Sequence, residues 1–326
     1  MEKLNFGLIG CGDLAQKRIA PAMRDLENCR LVAVNRARFE LAEEFAREFG
    51  AKRWYRTWRE LIKDEEVQAV YIATPHDQHS EQTIAAAEAG KHVLCEKPMA
   101  LKLEDCRDMI DACKSNNVKL GIAYYRHFYP AVNRIKELIR TGELGTVSLA
   151  QINAFEWHEI DLEGPRGWVH RKTESGGGPM MGFGCHRLEV LINILGPIRK
   201  ASGYINNVLF DWEVEDNSAA LLHFDSGSCG VLCVSNSIAE PGDTLDVYGS
   251  KGSVHIHTLN KGGMVIRTSS GERREEHPPH PNLQLPLIED FAEAVLNNRE
   301  PGVGGEIGYG VQKIEEEIYT GAKTAK

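Results

Sequence analysis

The chain lacks the marks of a secreted, membrane-bound or nucleic-acid-binding protein. Its eight cysteines form no C-x-x-C pair, and a chain of 326 residues can bury enough core to fold without disulfide staples. Reduced thiols and a cytoplasmic location are the expectation. No apolar run approaches the roughly 20 residues needed to cross a bilayer. The opening segment enters a strand pattern at once, without the charged, apolar and small-residue stages of a secretory leader. Lys and Arg number 38 against 47 Asp and Glu, a formal net charge of −9, and the two signs are interspersed. With no basic stripe, neither nucleic acid nor membrane is an expected partner. Metal ligation is not expected either. His255 and His257 share a strand face but lack a third ligand, and His277 and His280 flank two prolines. Cys229 and Cys233 also share a strand face, which ordinary packing explains. There is no internal repeat and no low-complexity segment.

What is present in the first third is alternation of strand and helix. Apolar strands are expected at 4–9, 30–34, 68–72, 92–95 and 118–123. Helical spacing fills 13–26, 39–49, the stretch from Ser80 to Gly90, and 103–116. Short loops between them imply right-handed βαβ units and a parallel, doubly wound sheet. The pattern changes near residue 124. After a helix at 131–140 come strand-like runs at 146–154, 198–206, 217–224, 229–237, 244–249, 253–258 and 263–268, with glycine in their turns. These predict a mainly antiparallel sheet, with helices at about 184–195, 285–297 and 306–320. Residues 269–282, charged and proline-rich, read as an exposed loop. The expected fold is thus α/β followed by α+β: a dinucleotide-binding domain over 1–123 and a substrate and oligomerisation domain over 124–326.

Gly10-Cys11-Gly12-Asp13-Leu14-Ala15 fits G-x-G-x-x-[GA] directly after a strand and at the start of a helix. In that context Gly10 permits the tight turn and Gly12 lets the backbone approach a pyrophosphate. Ala15 allows close helix–strand packing. The helix N-terminus favours the anion. The second strand ends in Asn35-Arg36-Ala37-Arg38, where an acid would bind the adenosine ribose of NAD. Asn35 does not repel a phosphate, and Arg36 and Arg38 can pair with one in bidentate fashion, which favours NADP over NAD. The alternative is that both arginines are simply solvated at a helix start.

Cys95-Glu96-Lys97-Pro98 follows a parallel strand at its carboxyl end, where ligands bind. A lysine there can hydrogen-bond a reacting hydroxyl and stabilise developing alkoxide charge. With GCGDLA at 10–15, ATPHDQH at 73–79, AGKHVLCEKP at 89–98, RHFYP at 126–130, GELGTV at 142–147 and GGGPMMGFGCHRLEVL at 176–191, the chain resembles the glucose–fructose oxidoreductase/inositol dehydrogenase (Gfo/Idh/MocA) family over nearly its whole length. The resemblance implies a Rossmann domain followed by an open-faced sheet that pairs two or four copies. It also implies hydride transfer at a carbinol carbon of a sugar, cyclitol or related polyol. By position, Lys97 would be catalytic. Thr74, Pro75 and His79 would line the nicotinamide pocket, and Glu96 would contact the cofactor.

One departure stands out. Members commonly carry Asp four residues before the motif histidine, and this chain has Gly182 there, with His186 retained and Glu189 where a second acid is common. Three readings stay open. In one, Lys97 and His186 suffice for an NAD(P)-dependent dehydrogenase. In another, Asp161, Glu163 or Glu174 replaces the missing carboxylate. Or catalysis is lost, leaving a cofactor- or sugar-responsive binding protein. A redox-neutral epimerase, eliminase or glycosidase that oxidises its sugar transiently is a further alternative. The polar, aromatic stretch containing Trp157, Asp161, Arg166 and Trp168 suits a sugar-binding loop, since Trp stacks on pyranose faces and Arg binds hydroxyls. Tyr124 and Arg126, just past the last parallel strand, complete the expected substrate residues together with His186.

Overall fold

Strands buried on both faces read as unbroken apolar runs rather than alternating ones. Leu4–Ile9 shows this: every residue of the strand except Asn5 is buried. In the computed structural model, which describes residues 2–159, 161–164 and 166–322, the elements of the first part are β1 (Leu4–Ile9), α1 (Ala20–Asp25), β2 (Cys29–Asn35), α2 (Glu40–Phe49), β3 (Arg53–Tyr55), α3 (Trp58–Leu61), β4 (Ala69–Ile72), α4 (His79–Glu88), β5 (His92–Cys95), α5 (Leu103–Ser115) and β6 (Leu120–Ile122). The strands form one six-stranded parallel sheet in the order β3-β2-β1-β4-β5-β6. This is the expected doubly wound sheet, with the strand order reversing beside β1. Two elements escaped the periodicity. β3 is three half-buried residues on the sheet edge, too short to show a period. α3 is one turn, started by a capping box in which Thr57 and Glu60 satisfy each other's backbone N–H.

The chain continues with α6 (Pro130–Arg140), β7 (Val147–Trp157), α7 (Lys172–Ser175), α8 (Cys185–Leu195), β8 (Ile198–Asn206), β9 (Asn217–Phe224), β10 (Cys229–Ser235), β11 (Ser237–Gly249), β12 (Gly252–Ile256), β13 (Gly263–Thr268), β14 (Gly271–Glu276), α9 (Leu285–Leu296) and α10 (Gly305–Gly321). Eight strands form a second sheet in the order β14-β13-β12-β11-β7-β10-β9-β8. All its pairs are antiparallel except β10 with β7. Alternate residues such as Ile152, Leu222, Leu232, Leu245 and Ile266 are buried, and α8 packs against β7 and β10. The opposite face is open: Leu221 is 62% exposed, and it lies in one cross-strand row with Val231, Gln151, Asp246, His255 and Val265.

The expected loop at 269–282 is in part a strand. Gly271 at φ +125° closes a tight turn, and Gly271–Glu276 pairs antiparallel with β13 as β14. Its sequence, GERREE, has no apolar alternation because it is an edge strand, and charge there deters pairing with other chains.

The chain divides into two compact units, Met1–Tyr125 with His280–Tyr309, and Arg126–Pro279 with Gly310–Lys326. Both units are therefore discontinuous in sequence. α9 belongs to the first unit because Phe291 packs on Phe6 of β1, ring centroids 6.1 Å apart. Gly121 makes room for it: a Cβ there would lie 2.7 Å from Phe291 Cδ2. Local periodicity shows that a helix is amphipathic but not which sheet it covers. Among the described residues no helix is long and apolar enough to cross a membrane.

Candidate functional site

The first unit carries the glycine turn at the end of β1. Gly10 adopts φ +93°, and a Cβ there would lie 2.5 Å from the Ala73 carbonyl oxygen, so no other residue fits. At Gly12 a Cβ would meet nothing within 4 Å, so packing does not impose this glycine and its backbone face is left open for a ligand. The amides of Gly10 and Cys11 both donate to the Asn35 carbonyl, at 3.1 and 3.3 Å, which ties the turn to the end of β2. Gln16 donates to Gly12 at 3.0 Å, so the helix starts at the second glycine. The segment Ala15–Ile19 is π-wound, a form frequent at functional sites. Ala15 is fully buried, Leu14 is half-buried, and Asp13 is exposed and pairs with Lys17. Burial pushes the Cys11 thiol up to about 12, so it is inert packing.

At the end of β2 the Asn35 side chain donates to the carbonyls of Tyr55 and Arg56, at 3.1 and 3.2 Å. Its amide hydrogens are thus spent on holding β3. Arg36 is half-buried and Arg38 exposed. Arg56 lies in the same corner, its guanidinium 4.3 Å from the Phe39 ring centroid. Sequence reasoning missed Arg56 because it follows an unrecognised strand.

Two turns after β4 and β5 carry the other first-unit candidates. Thr74 donates its hydroxyl to Gln82 at 2.8 Å. His79 is fully buried, with Nδ1 2.9 Å from the Pro98 carbonyl oxygen and Nε2 3.1 Å from that of Thr74. It therefore staples the Thr74-Pro75 turn to the Lys97-Pro98 turn, and burial holds its pKa below the ordinary histidine value. Glu96 is 6% exposed and accepts from Tyr71 Oη at 2.8 Å, Gln284 Nε2 at 3.0 Å and the Lys97 amide at 3.3 Å. Burial raises its pKa, against the pull of Lys97 and these donors. Its bonds make Glu96 the buried anchor of the turn that presents Lys97, which is half-buried and precedes a cis peptide to Pro98. Tyr124, also in this unit, is fully buried.

The second unit carries His186 on the first turn of α8, 3% exposed. The segment before it, Met180–Gly184, is again π-wound. Gly182 lies within that segment, and a Cβ built there meets nothing within 4 Å. An aspartate would fit, so the fold does not dictate the missing acid. Of the three carboxylates weighed as substitutes, Asp161 is exposed and accepts from the Glu163 amide at 3.0 Å, Glu163 is exposed, and Glu174 pairs with Arg171. The buried acid of this helix is Glu189, 1% exposed, with Oε1 2.6 Å from His127 Nδ1. Arg126 is 5% exposed and donates to Asn260 Oδ1 at 3.3 Å.

At the end of β7, Trp157 is 48% exposed and meets Phe210 edge-on, centroids 5.5 Å apart. Phe210 stacks on Trp212 at 4.1 Å, and Trp212 on His170 at 3.6 Å. His158 meets His170 edge-on at 6.0 Å, accepts Arg166 against its Nε2 at 3.4 Å and pairs with Glu156 at 2.9 Å. The structure thus brings Trp157 and Arg166 into one aromatic column. It leaves Asp161 in a local turn, and Trp168 half-buried in a 3₁₀ turn over Gly167–His170. Phe210, Trp212 and His170 went unnoticed in the sequence, where F-x-W in a loop carries no periodic signal. Among the described residues no three His, Cys, Asp or Glu side chains are grouped to hold a metal ion.

Comparison with known proteins follows the same division. The model of an "Oxidoreductase family, NAD-binding Rossmann fold" matches residues 4–124, and that of the "GFO/IDH/MocA C-terminal domain" matches residues 132–255. "Oxidoreductase P35" of Formosa agariphila is 30% identical over 88% of this chain and 89% of its own. Aldose–aldose oxidoreductase from Caulobacter crescentus, crystallised with glycerol, is 30% identical with a TM-score of 0.90, covering 98% of each chain. Levoglucosan dehydrogenase in complex with NADH and levoglucosan is 25% identical with a TM-score of 0.91, covering 98% of this chain and 97% of its own.

Proposed function

This chain belongs to the Gfo/Idh/MocA oxidoreductase family, and from that premise we propose that it oxidises a secondary alcohol, or reduces the matching ketone, on a sugar, cyclitol or related polyol. The observation that carries the reading is the β1 turn: a first glycine forced by the Ala73 carbonyl and a second left open, within a Rossmann sheet. That turn fits a pyrophosphate, so Gly10, Cys11, Gly12, Asp13, Leu14 and Ala15 would hold the dinucleotide. When bound, the nicotinamide supplies the redox chemistry.

The chain's own residues do the rest. Glu96, Tyr71 and Gln284 lock the turn that presents Lys97, whose ammonium polarises the reacting oxygen and stabilises its developing charge. His79 holds the Thr74-Pro75 turn, which lines the nicotinamide side. His186 exchanges the alcohol proton. Arg36 and Arg38, with Arg56, favour NADP by pairing with a 2′-phosphate. Trp157, Arg166, Trp168, Asp161, Tyr124 and Arg126 are assigned to the carbohydrate, with stacking on Trp157 supported by its exposure. The open sheet face around Leu221 pairs with a second copy, which gel filtration of Leu221→Glu against the parent chain tests.

The experiment follows reduced-nicotinamide absorbance while the protein meets sugars, cyclitols, sugar acids and 1,5-anhydro sugars with NAD⁺ or NADP⁺. Reduction with one substrate class establishes the dehydrogenase. Cofactor binding without reduction across the panel overturns it.

A further inference from the structure

We infer that Glu215 and Tyr319 are positioning residues that fix the start of the helical segment leading to His186; the catalytic part of this claim rests on the role proposed above for His186. The first backbone N–H groups of a helix have no partner within it and must find one elsewhere. Every one is accounted for here. Gly178 N–H donates to Glu215 Oε2 at 2.9 Å, and Met180 N–H to Glu215 Oε1 at 3.2 Å. Pro179 has no N–H. Met181 N–H donates to Tyr319 Oη at 3.3 Å, and Tyr319 Oη donates in turn to Glu215 Oε1 at 2.8 Å. With Gly182, whose N–H donates to the Gly178 carbonyl at 2.9 Å, the segment's own bonding begins.

The same two residues explain the glycine run before the helix. Gly176 adopts φ +83° to end α7. A Cβ at Gly177 would lie 2.0 Å from Tyr319 Oη, and one at Gly178 would lie 1.9 Å from the Glu215 carbonyl oxygen. The run is thus shaped to admit the clamp. Glu215 is 5% exposed, so its bonds are made away from water, where each is stronger and harder to replace. A carboxylate at a helix N-terminus is also favoured by the helix dipole. The clamp touches neither His186 nor any substrate residue in the bonds described, so it acts through the position of the helix. Misplacing a proton-exchanging group by about 1 Å costs on the order of a hundredfold in rate.

The test uses the full chain with Glu215→Gln, Glu215→Asp and Tyr319→Phe, each conservative enough to fold, and His186→Ala as the reference. Hydrogen exchange reads the Met180 and Met181 amides, while steady-state kinetics and nicotinamide titration read function. Glu215→Gln should speed exchange at Met180, and Tyr319→Phe at Met181, by about tenfold or more. In Glu215→Gln kcat should fall by roughly ten- to a hundredfold, with cofactor affinity and KM little changed. Glu215→Asp should recover part of kcat. Wild-type exchange in both variants overturns the clamp. Faster exchange with unchanged kcat overturns its role in catalysis. If His186→Ala also keeps full turnover, the fault lies with the role given to His186; if His186→Ala is inactive, it lies with the clamp.

Discussion

Replacing Glu189 tests the polar interior of the second unit most directly. The carboxylate is 1% exposed and lies 2.6 Å from His127 Nδ1, while the His127 side chain keeps 17% exposure. Removing one partner of a buried pair strands the other, at about 3–5 kcal/mol. His127 can regain some water, so Glu189→Ala should cost about 3 kcal/mol, the lower end of that range. Glu189→Gln keeps the shape and a neutral hydrogen bond, and should cost about 1 kcal/mol. Urea unfolding at pH 7, with an unchanged slope on denaturant, reads both. A loss below about 1 kcal/mol for Glu189→Ala would refute the reasoning, because it would mean the pair is not sequestered. The pH dependence gives a second check. Burial raises the Glu189 pKa and His127 opposes this only in part. The folded chain therefore holds this proton to higher pH than the unfolded chain does. Between the ordinary carboxylate value and the raised one, this group makes stability fall as pH rises. Glu189→Gln lacks the proton, so the wild-type curve should fall relative to the variant's across that window. Parallel curves would show that the carboxylate does not titrate as its burial requires.

Three other outcomes are expected. Gly10→Ala, placed at φ +93° and 2.5 Å from the Ala73 carbonyl, should abolish nicotinamide-nucleotide binding measured by fluorescence titration; affinity like wild type would mean the turn does not hold the pyrophosphate. Arg36→Ala combined with Arg38→Ala should weaken NADP⁺ by about tenfold or more and leave NAD⁺ nearly unchanged, by loss of charge-assisted bonds to the phosphate; equal loss for both cofactors would remove the case for NADP. Lys97→Ala should lower kcat by at least about a hundredfold with cofactor affinity intact. Equal turnover would sink its assignment.

Much of the architecture was legible because two periods carry it. Apolar runs at 4–9, broken only by Asn5, and at 69–72 match strands buried on both faces, and the helical spacing at 39–49 matches α2 with Ala42, Phe45 and Ala46 buried. The phosphate turn was legible because its chemistry is local: six consecutive residues supply the bend, the open backbone and the helix start. Gly182 was visible as a departure for the same reason. Elements without a period were not legible. β14 is an edge strand whose charges mask it, and β3 is too short.

What the sequence by itself determined is the set of local devices: the doubly wound sheet, the glycine turn, the lysine turn and the helix bearing His186. Tertiary structure alone decided what supports them. Glu96 proved to be the buried anchor beneath Lys97, held by Tyr71 and Gln284 from distant parts of the chain. His79 proved to be a staple between two turns, and Asn35 a tie to β3. Glu215 and Tyr319 closed a helix start that lies far from both in sequence. The physical reason is common to all of these. A buried polar group must find its partner wherever the fold brings one, and that partner is chosen by proximity in space, which no spacing along the chain encodes.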